Sequence, residues 1–159
     1  MKRHNSLETL SFEHHDALVI ALRIKKGVDR QGDLNTIAEY ALSVYNNHLK
    51  HHFEQEEHTL LEPLLQNEQS APHARRMVDE HERFAEIAEF IEKGKGDLHA
   101  LLKEFAELLE SHVRFEERTL FPLAEKLIPE DQLAEISDYL HKEHKPINKD
   151  WPIEFWKDK

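Results

Sequence analysis

One motif occurs twice in this 159-residue chain, and its two copies are separated by 60 residues. Residues 52–60 and 112–120 both read His-x-x-x-Glu-Glu-x-Thr-Leu. Residues four apart lie one turn above each other on the same face of an α-helix, so each copy directs one imidazole and one carboxylate the same way. Glu-His pairs at 13–14 and 80–81 extend the correspondence between the two halves. The chain is therefore predicted to consist of two similar helix pairs, each able to offer nitrogen and oxygen ligands to a metal.

The spacing of apolar residues predicts an almost entirely helical protein. The chain has only four Gly and six Pro, and most of them separate segments in which apolar residues recur every three or four positions. No strand pattern competes with this periodicity. Gly27 and Pro146 are predicted to end helices, and Pro63 to kink or end one. The predicted helices cover about residues 6–26, 33–62, 72–93, 97–128 and 130–145.

Short links within each helix pair favour antiparallel packing. The predicted fold class is all-α, an up-down-up-down four-helix bundle with a short additional C-terminal helix. We predict a single domain over residues 1–159, with the bundle at about 6–128 and the C-terminal helix and aromatic tail at 130–159. The tail contains Trp151, Phe155 and Trp156, which are expected either to cap one end of the bundle or to dock on a partner.

Composition restricts the class of protein. The chain has no cysteine, so neither a disulfide framework nor a thiolate metal site is possible. Its start has no apolar leader segment, and the longest apolar run, 17–22, is far shorter than the roughly 20 residues of a membrane span. A formal net charge of -11 argues against a nucleic acid partner. We expect a cytoplasmic protein that binds neither nucleic acid nor membrane, and the sequence identifies no protein partner.

Six side chains with metal-binding groups lie on helix faces that are otherwise apolar. They are His14, His52, Glu56, His81, His112 and Glu116. Moving an unpaired carboxylate into an apolar interior is costly, and a bound cation would supply the compensating charge. Two bridging carboxylates with four terminal imidazoles suit two divalent ions. Iron is the first choice and manganese the second, while zinc uses such a ligand set less naturally because it prefers closed four-ligand sites.

Several neighbouring residues leave alternatives open. His15 lies about 100° around the helix from His14 and is the alternative ligand at that position. His15 or His48 is a candidate seventh ligand or a second layer of support around the ligands. Glu57 and Glu117 are expected to face solvent or to accept a hydrogen bond from a ligand imidazole, in preference to binding metal directly. The histidines predicted to lie on the surface are His51, His58, His73, His99, His141 and His144.

Over about residues 10–125 the chain resembles hemerythrin-like proteins of the His-His-Glu cation-binding type. The resemblance lies in Glu-His-His-Asp-Ala-Leu at 13–18, in His-Phe at 52–53 with Glu-Glu at 56–57, and in 112–117 leading into Leu-Phe-Pro at 120–122. It implies a four-helix bundle around a non-haem di-iron centre held by the six residues above, with Glu56 and Glu116 as bridges. The implied cofactor is two iron ions, Fe2+ or Fe3+, joined by an oxo or hydroxo bridge.

Two positions differ from the seven-ligand pattern of oxygen-carrying hemerythrins. Ala85 stands where those proteins have a second histidine, and Glu116 replaces an aspartate. A shorter ligand list leaves coordination positions for water, oxygen, peroxide or nitric oxide, which favours sensing or handling of oxygen, nitric oxide or iron. The alternatives are a di-iron oxidoreductase acting on peroxide or nitric oxide, and a helical interaction protein with a structural metal. No general acid, nucleophile or organic-cofactor loop accompanies the site, so catalysis would depend on the metal alone.

Overall fold

The structure is a computed structural model that describes residues 5–145 and 148–157. Over these residues it consists of helices and connecting loops, without a strand. Each long helix packs on its neighbours in the chain, and α1 also packs along α4, which closes the bundle. The predicted all-α bundle with a short additional C-terminal helix is confirmed. The helices are α1 (Glu8–Asp29, after a 3-10 turn at Asn5–Leu7), α2 (34–65), α3 (Ala71–Lys93), α4 (98–127) and α5 (Glu130–Glu143).

Local sequence explains most helix ends. Asp33 and Asp97 precede α2 and α4, and each carboxylate accepts a hydrogen bond from the backbone N–H two residues later. These bonds satisfy amides that the first helical turn leaves without a partner. α3 ends at Gly94, whose φ of 67° lies in the left-handed region that glycine adopts without strain. Pro146, at which the last helix was predicted to end, lies outside the described residues.

α2 and α4 contain wide π-helical turns beside the repeated motif. Of the two effects predicted for Pro63, a kink or an end of α2, the end does not occur, because the helix continues to residue 65. Pro63 and Pro122 each lie in the first turn of the α-helical segment after a π turn, where a missing N–H is tolerated. Turns of this kind often mark functional sites, and two of them adjoin the repeated glutamates. The π turns are Tyr45–Leu49, Glu57–Leu61 and Glu116–Leu120.

A polar layer divides the apolar core into two clusters. On α1, for example, His14 lies between Ala17 of the first cluster and Leu10 of the second. Members of the first cluster include Ile24, Tyr40, Phe84 and Leu102, and members of the second include Leu7, Leu64, Met77 and Leu133. No helix within the described ranges has the length and apolar character needed to cross a membrane. The fold thus surrounds the polar layer with packed hydrophobic side chains.

The aromatic tail packs against the end of the bundle formed by α1 and α2. The rings of Trp151 and Phe155 lie 5.4 and 5.2 Å from the ring of Tyr40. A Cβ atom added to Gly27 would lie 2.5 Å from Phe155. Gly27 does not end α1 as predicted, because the helix continues to Asp29. Its missing side chain instead permits the close approach of the tail.

Gly27→Ala is expected to displace the tail while the bundle stays folded. The added methyl group overlaps Phe155, whereas alanine favours the helical conformation of α1 by about 0.5–1 kcal/mol. Both tryptophans of the chain, Trp151 and Trp156, lie in the tail, so their fluorescence reports on the tail alone. Their emission should shift to longer wavelength with unchanged far-ultraviolet circular dichroism, and Phe155→Ala should reproduce the shift. Unchanged emission from the Gly27→Ala protein would contradict this packing.

Candidate metal centre

The six predicted ligand residues lie together in the polar layer. Their ligand atoms form two overlapping groups, and within each group all of these atoms lie within 4.8 Å of one another. The carboxylates of Glu56 and Glu116 belong to both groups, so the two groups share their anionic ligands. Both side chains are completely buried, and the four imidazoles are buried around them. The groups are His14, His52, Glu56 and Glu116, and His81, His112, Glu56 and Glu116.

Every imidazole directs its Nε2 atom at the carboxylate of Glu56 or Glu116. α1 and α3 each supply one imidazole, while α2 and α4 each supply an imidazole and a carboxylate four residues apart. The distances are 2.9 Å for His14 to Glu116, 3.2 Å for His52 to Glu56, 3.1 Å for His81 to Glu56 and 3.3 Å for His112 to Glu116. The i, i+4 spacing of the repeated motif thus brings its two groups to the bundle axis, as the sequence predicted.

The Nδ1 atom of each imidazole faces a second carboxylate, always on the adjacent helix. We call these four residues the outer glutamates. The pairs are His14 with Glu117 at 3.0 Å, His52 with Glu13 at 3.0 Å, His81 with Glu57 at 2.8 Å, and His112 with Glu80 at 2.7 Å. A carboxylate can only accept a hydrogen bond, so Nδ1 carries the proton and donates it. The Nε2 lone pair of a neutral imidazole then points at the centre of the bundle.

The imidazole Nε2 atoms and the oxygens of Glu56 and Glu116 are better placed to bind a cation than to hydrogen-bond to one another. The Nε2 atoms of His14 and His52 lie 3.1 Å apart, so two lone pairs would face each other without a positive charge nearby. Glu56 Oε2, His112 Nε2 and both oxygens of Glu116 are buried without a hydrogen-bond partner. The short contact of Glu116 with His14 lacks hydrogen-bond angles and is electrostatic. Each unsatisfied buried group costs about 1–3 kcal/mol, and a metal ion would satisfy all of them together.

The model of the hemerythrin HHE cation-binding domain family matches residues 5–124, which include all six candidate ligands and the outer glutamates. The chain belongs to the hemerythrin HHE cation-binding family. Searches of curated proteins and of solved structures each gave no match. The family resemblance inferred from the motifs is therefore confirmed. Together with the buried histidines and glutamates, membership indicates a cation-binding site in the polar layer of this hemerythrin-like bundle.

In the metal-free hemerythrin-like bundle, protons on His14, His52 and His112 offset the charge of the buried carboxylates. Burial alone lowers the pKa of His52, but the charge of Glu56 and hydrogen bonds to carboxylates outweigh it and raise the pKa to about 9. The surrounding glutamates also hold the pKa values of His14 and His112 well above the ordinary range, against the effect of burial. Burial raises the pKa of Glu56, yet the imidazoles overcome this and hold the pKa well below its usual value. Because metal and protons compete for the same nitrogens, cation binding should release protons.

The residues around the ligands only partly follow the sequence-based expectations. His14 is buried in the centre whereas His15 is exposed, and His48 lies outside both ligand groups. Glu57 and Glu117 take the second of their two predicted roles, since both accept hydrogen bonds from candidate ligands. The roles of Glu13 and Glu80 were missed, although both stand directly before a candidate histidine. The matching Glu-His pairs were the available signal.

Aromatic side chains shield the centre from solvent. Phe53 stacks on His81 with ring centroids 4.2 Å apart, and Phe121 stacks on His14 at 5.2 Å. A small cavity of about 10 Å³ adjoins three of the imidazoles. This volume corresponds to about one water-sized sphere, and its walls are otherwise mainly apolar. The lining residues are Glu13, His14, Ala17, Leu49, His52, Phe53, Leu109, His112 and Val113.

Proposed function

We propose that this protein binds two iron ions in the polar layer and uses them to sense or handle a small ligand such as oxygen or nitric oxide. The observation that carries the proposal is the pair of ligand groups sharing Glu56 and Glu116. Each group offers two imidazoles and two carboxylates, a mixed set that suits iron and manganese better than a closed zinc site. Bound iron would supply redox activity and coordination positions for a small ligand.

The size and lining of the cavity favour a very small ligand over an organic substrate. Its volume of about 10 Å³ admits a molecule about the size of water. Only one of its lining residues apart from the candidate ligands carries a titratable group, Glu13, and that carboxylate already pairs with His52 and His144. No lining residue offers a hydroxyl or thiol nucleophile. This composition supports binding and sensing more than substrate turnover.

Anaerobic loading with Fe2+ tests the proposal directly. We expect about two irons per chain and a change in the absorption spectrum when oxygen or nitric oxide is added. Binding of only one ion per chain, with no change in absorption on adding either gas, would favour a structural metal, and repeated turnover of peroxide or nitric oxide would favour an oxidoreductase. Either result would overturn the sensing proposal, as would two irons that respond to neither gas.

A cavity-filling variant separates ligand binding from iron binding. Ala17→Leu places additional carbon atoms in the cavity beside His14 and should retain two irons while losing at least about tenfold in affinity for nitric oxide. Ala21→Leu is the matched control, because Ala21 is buried one turn further along α1 but does not line the cavity. Core overpacking costs about 1–3 kcal/mol in both variants. Equal nitric oxide affinity in the two variants would show that this cavity is not the ligand site.

A further inference from the structure

We infer that His144 is a positioning residue for one half of the metal centre, delivered by the segment that follows α5. The inference rests on the metal binding proposed above. His144 Nδ1 lies 2.9 Å from Glu13 Oε2, and the other oxygen of that carboxylate lies 3.0 Å from His52 Nδ1. The side chain of His144 is 33% exposed, whereas those of Glu13 and His52 are each 4% exposed. A single carboxylate therefore connects a residue near the surface to a candidate ligand.

The other half of the centre uses a different residue in the equivalent place. One carboxylate oxygen of Glu80 accepts a hydrogen bond from His112 Nδ1 at 2.7 Å, and the other accepts one from the Arg76 guanidinium at 2.9 Å. Arg76 lies on the same helix as Glu80, four residues earlier, so this support is local to α3. His144 reaches Glu13 from more than 130 residues away in the chain. The two halves have the same types of inner ligand but differ in the group that holds the outer glutamate, His144 for Glu13 and Arg76 for Glu80.

Contacts on both sides of His144 hold the chain near it against α1 and α2. On one side, the Glu143 carbonyl oxygen lies 2.9 Å from His51 Nε2 and accepts its hydrogen bond. On the other, Lys149 forms an ion pair with Asp16 at 2.8 Å, and its carbonyl oxygen accepts a hydrogen bond from Arg23. His51 belongs to α2, while Asp16 and Arg23 belong to α1. Glu143 and Lys149 are therefore attached to the two helices that supply the His14 and His52 half.

Loss of His144 should loosen that half alone. Glu13 would keep one partner and gain rotational freedom, and the His52 imidazole would lose part of its orientation. Residues that hold a ligand imidazole typically change metal affinity about 10–100-fold when removed. His144 acts one hydrogen bond further out, so we expect about 3- to 10-fold faster release of one of the two irons, with the other unaffected.

Iron-57 Mössbauer spectroscopy of the diferrous protein, together with release of iron to a chelator, tests this inference. His144→Ala should alter the signal of half of the iron and speed release of that half. His144→Asn should restore the wild-type behaviour, because its amide nitrogen can replace Nδ1 as the donor to Glu13. Arg76→Ala should instead alter the other half. His141→Ala is the matched control, since His141 is exposed on α5 and, among the residues that the structure describes, hydrogen-bonds within its own helix.

The outcomes separate this inference from the proposed function. A wild-type chain that takes up no iron would overturn the proposed function itself. Normal wild-type loading with His144→Ala indistinguishable from His141→Ala would overturn only the role of His144. A change in the Mössbauer signal that is spread equally over all the iron would also overturn the role of His144. So would a defect in His144→Asn as large as that in His144→Ala. Each of these results would show that His144 does not orient one half of the centre through its hydrogen bond.

Discussion

Replacing Glu56 or Glu116 by Gln is expected to abolish the binding of two metal ions by one chain. Each carboxylate belongs to both ligand groups, so one substitution removes an anionic ligand from both positions at once. Glutamine preserves the volume of the side chain but supplies no negative charge, and its amide nitrogen is a donor rather than a ligand. Metal analysis should fall from about two ions per chain to fewer than one.

The matched control for these variants is Glu54→Gln. Glu54 is exposed on α2, two residues before Glu56, and should still bind two ions per chain after substitution. Circular dichroism should show that all the variants remain helical. Unchanged stoichiometry in both the Glu56 and Glu116 variants would remove these residues as bridges.

Removal of metal with a chelator is expected to lower the melting temperature by about 10 °C. A ligand that binds only the folded state at a free concentration about a thousandfold above its Kd stabilises that state by about 4 kcal/mol. In a domain of this size, each kcal/mol moves the melting temperature by about 2–4 °C. Differential scanning calorimetry of chelated and reloaded protein measures the change. Equal melting temperatures would argue against metal occupancy of the folded state.

The difference between metal-free and metal-loaded protein should grow as the pH rises from 6.5 to 9.5. The pKa of His52 in the metal-free fold is about 9, above its unfolded value of 6.5. A raised pKa contributes stability that is fully present below pH 6.5 and is lost as the pH rises through about 9. For this buried side chain the contribution is about 3 kcal/mol, at about 1.4 kcal/mol for each pKa unit. The loaded protein does not depend on that proton, so a constant difference across this pH range would contradict the proton-balanced centre.

Sequence periodicity predicted the inner residues because their chemistry repeats within single helices. His52 with Glu56, and His112 with Glu116, are spaced so that one helical turn suffices to align them. Periodicity does not predict which imidazole each outer glutamate contacts, because Glu13 hydrogen-bonds to His52 on α2 and not to its own neighbour His14. Such a pairing depends on the relative height of two helices, which a pattern along one helix does not specify.

Tertiary contacts and local changes of helix type explain why the sequence-based predictions for individual positions differ from the structure. Gly27 has the sequence context of a helix stop, but here its missing side chain leaves room for Phe155, which lies far away in the chain. Pro63 usually breaks a helix, and here the preceding π turn places it in a new first turn instead. His144 was assigned to the surface because nothing near it in sequence indicated its contact with Glu13. In each case a tertiary contact or a local change of helix type outweighed the residue's usual preference.

Each helical hairpin, α1 with α2 or α3 with α4, can orient only one of its two imidazoles unaided. His14 of the first hairpin depends on Glu117 of the second, and His81 of the second depends on Glu57 of the first. Only after the hairpins have docked do all four rings have an acceptor at Nδ1. A cation in the polar layer would therefore meet its full set of oriented imidazoles only in a chain whose two hairpins have already packed together.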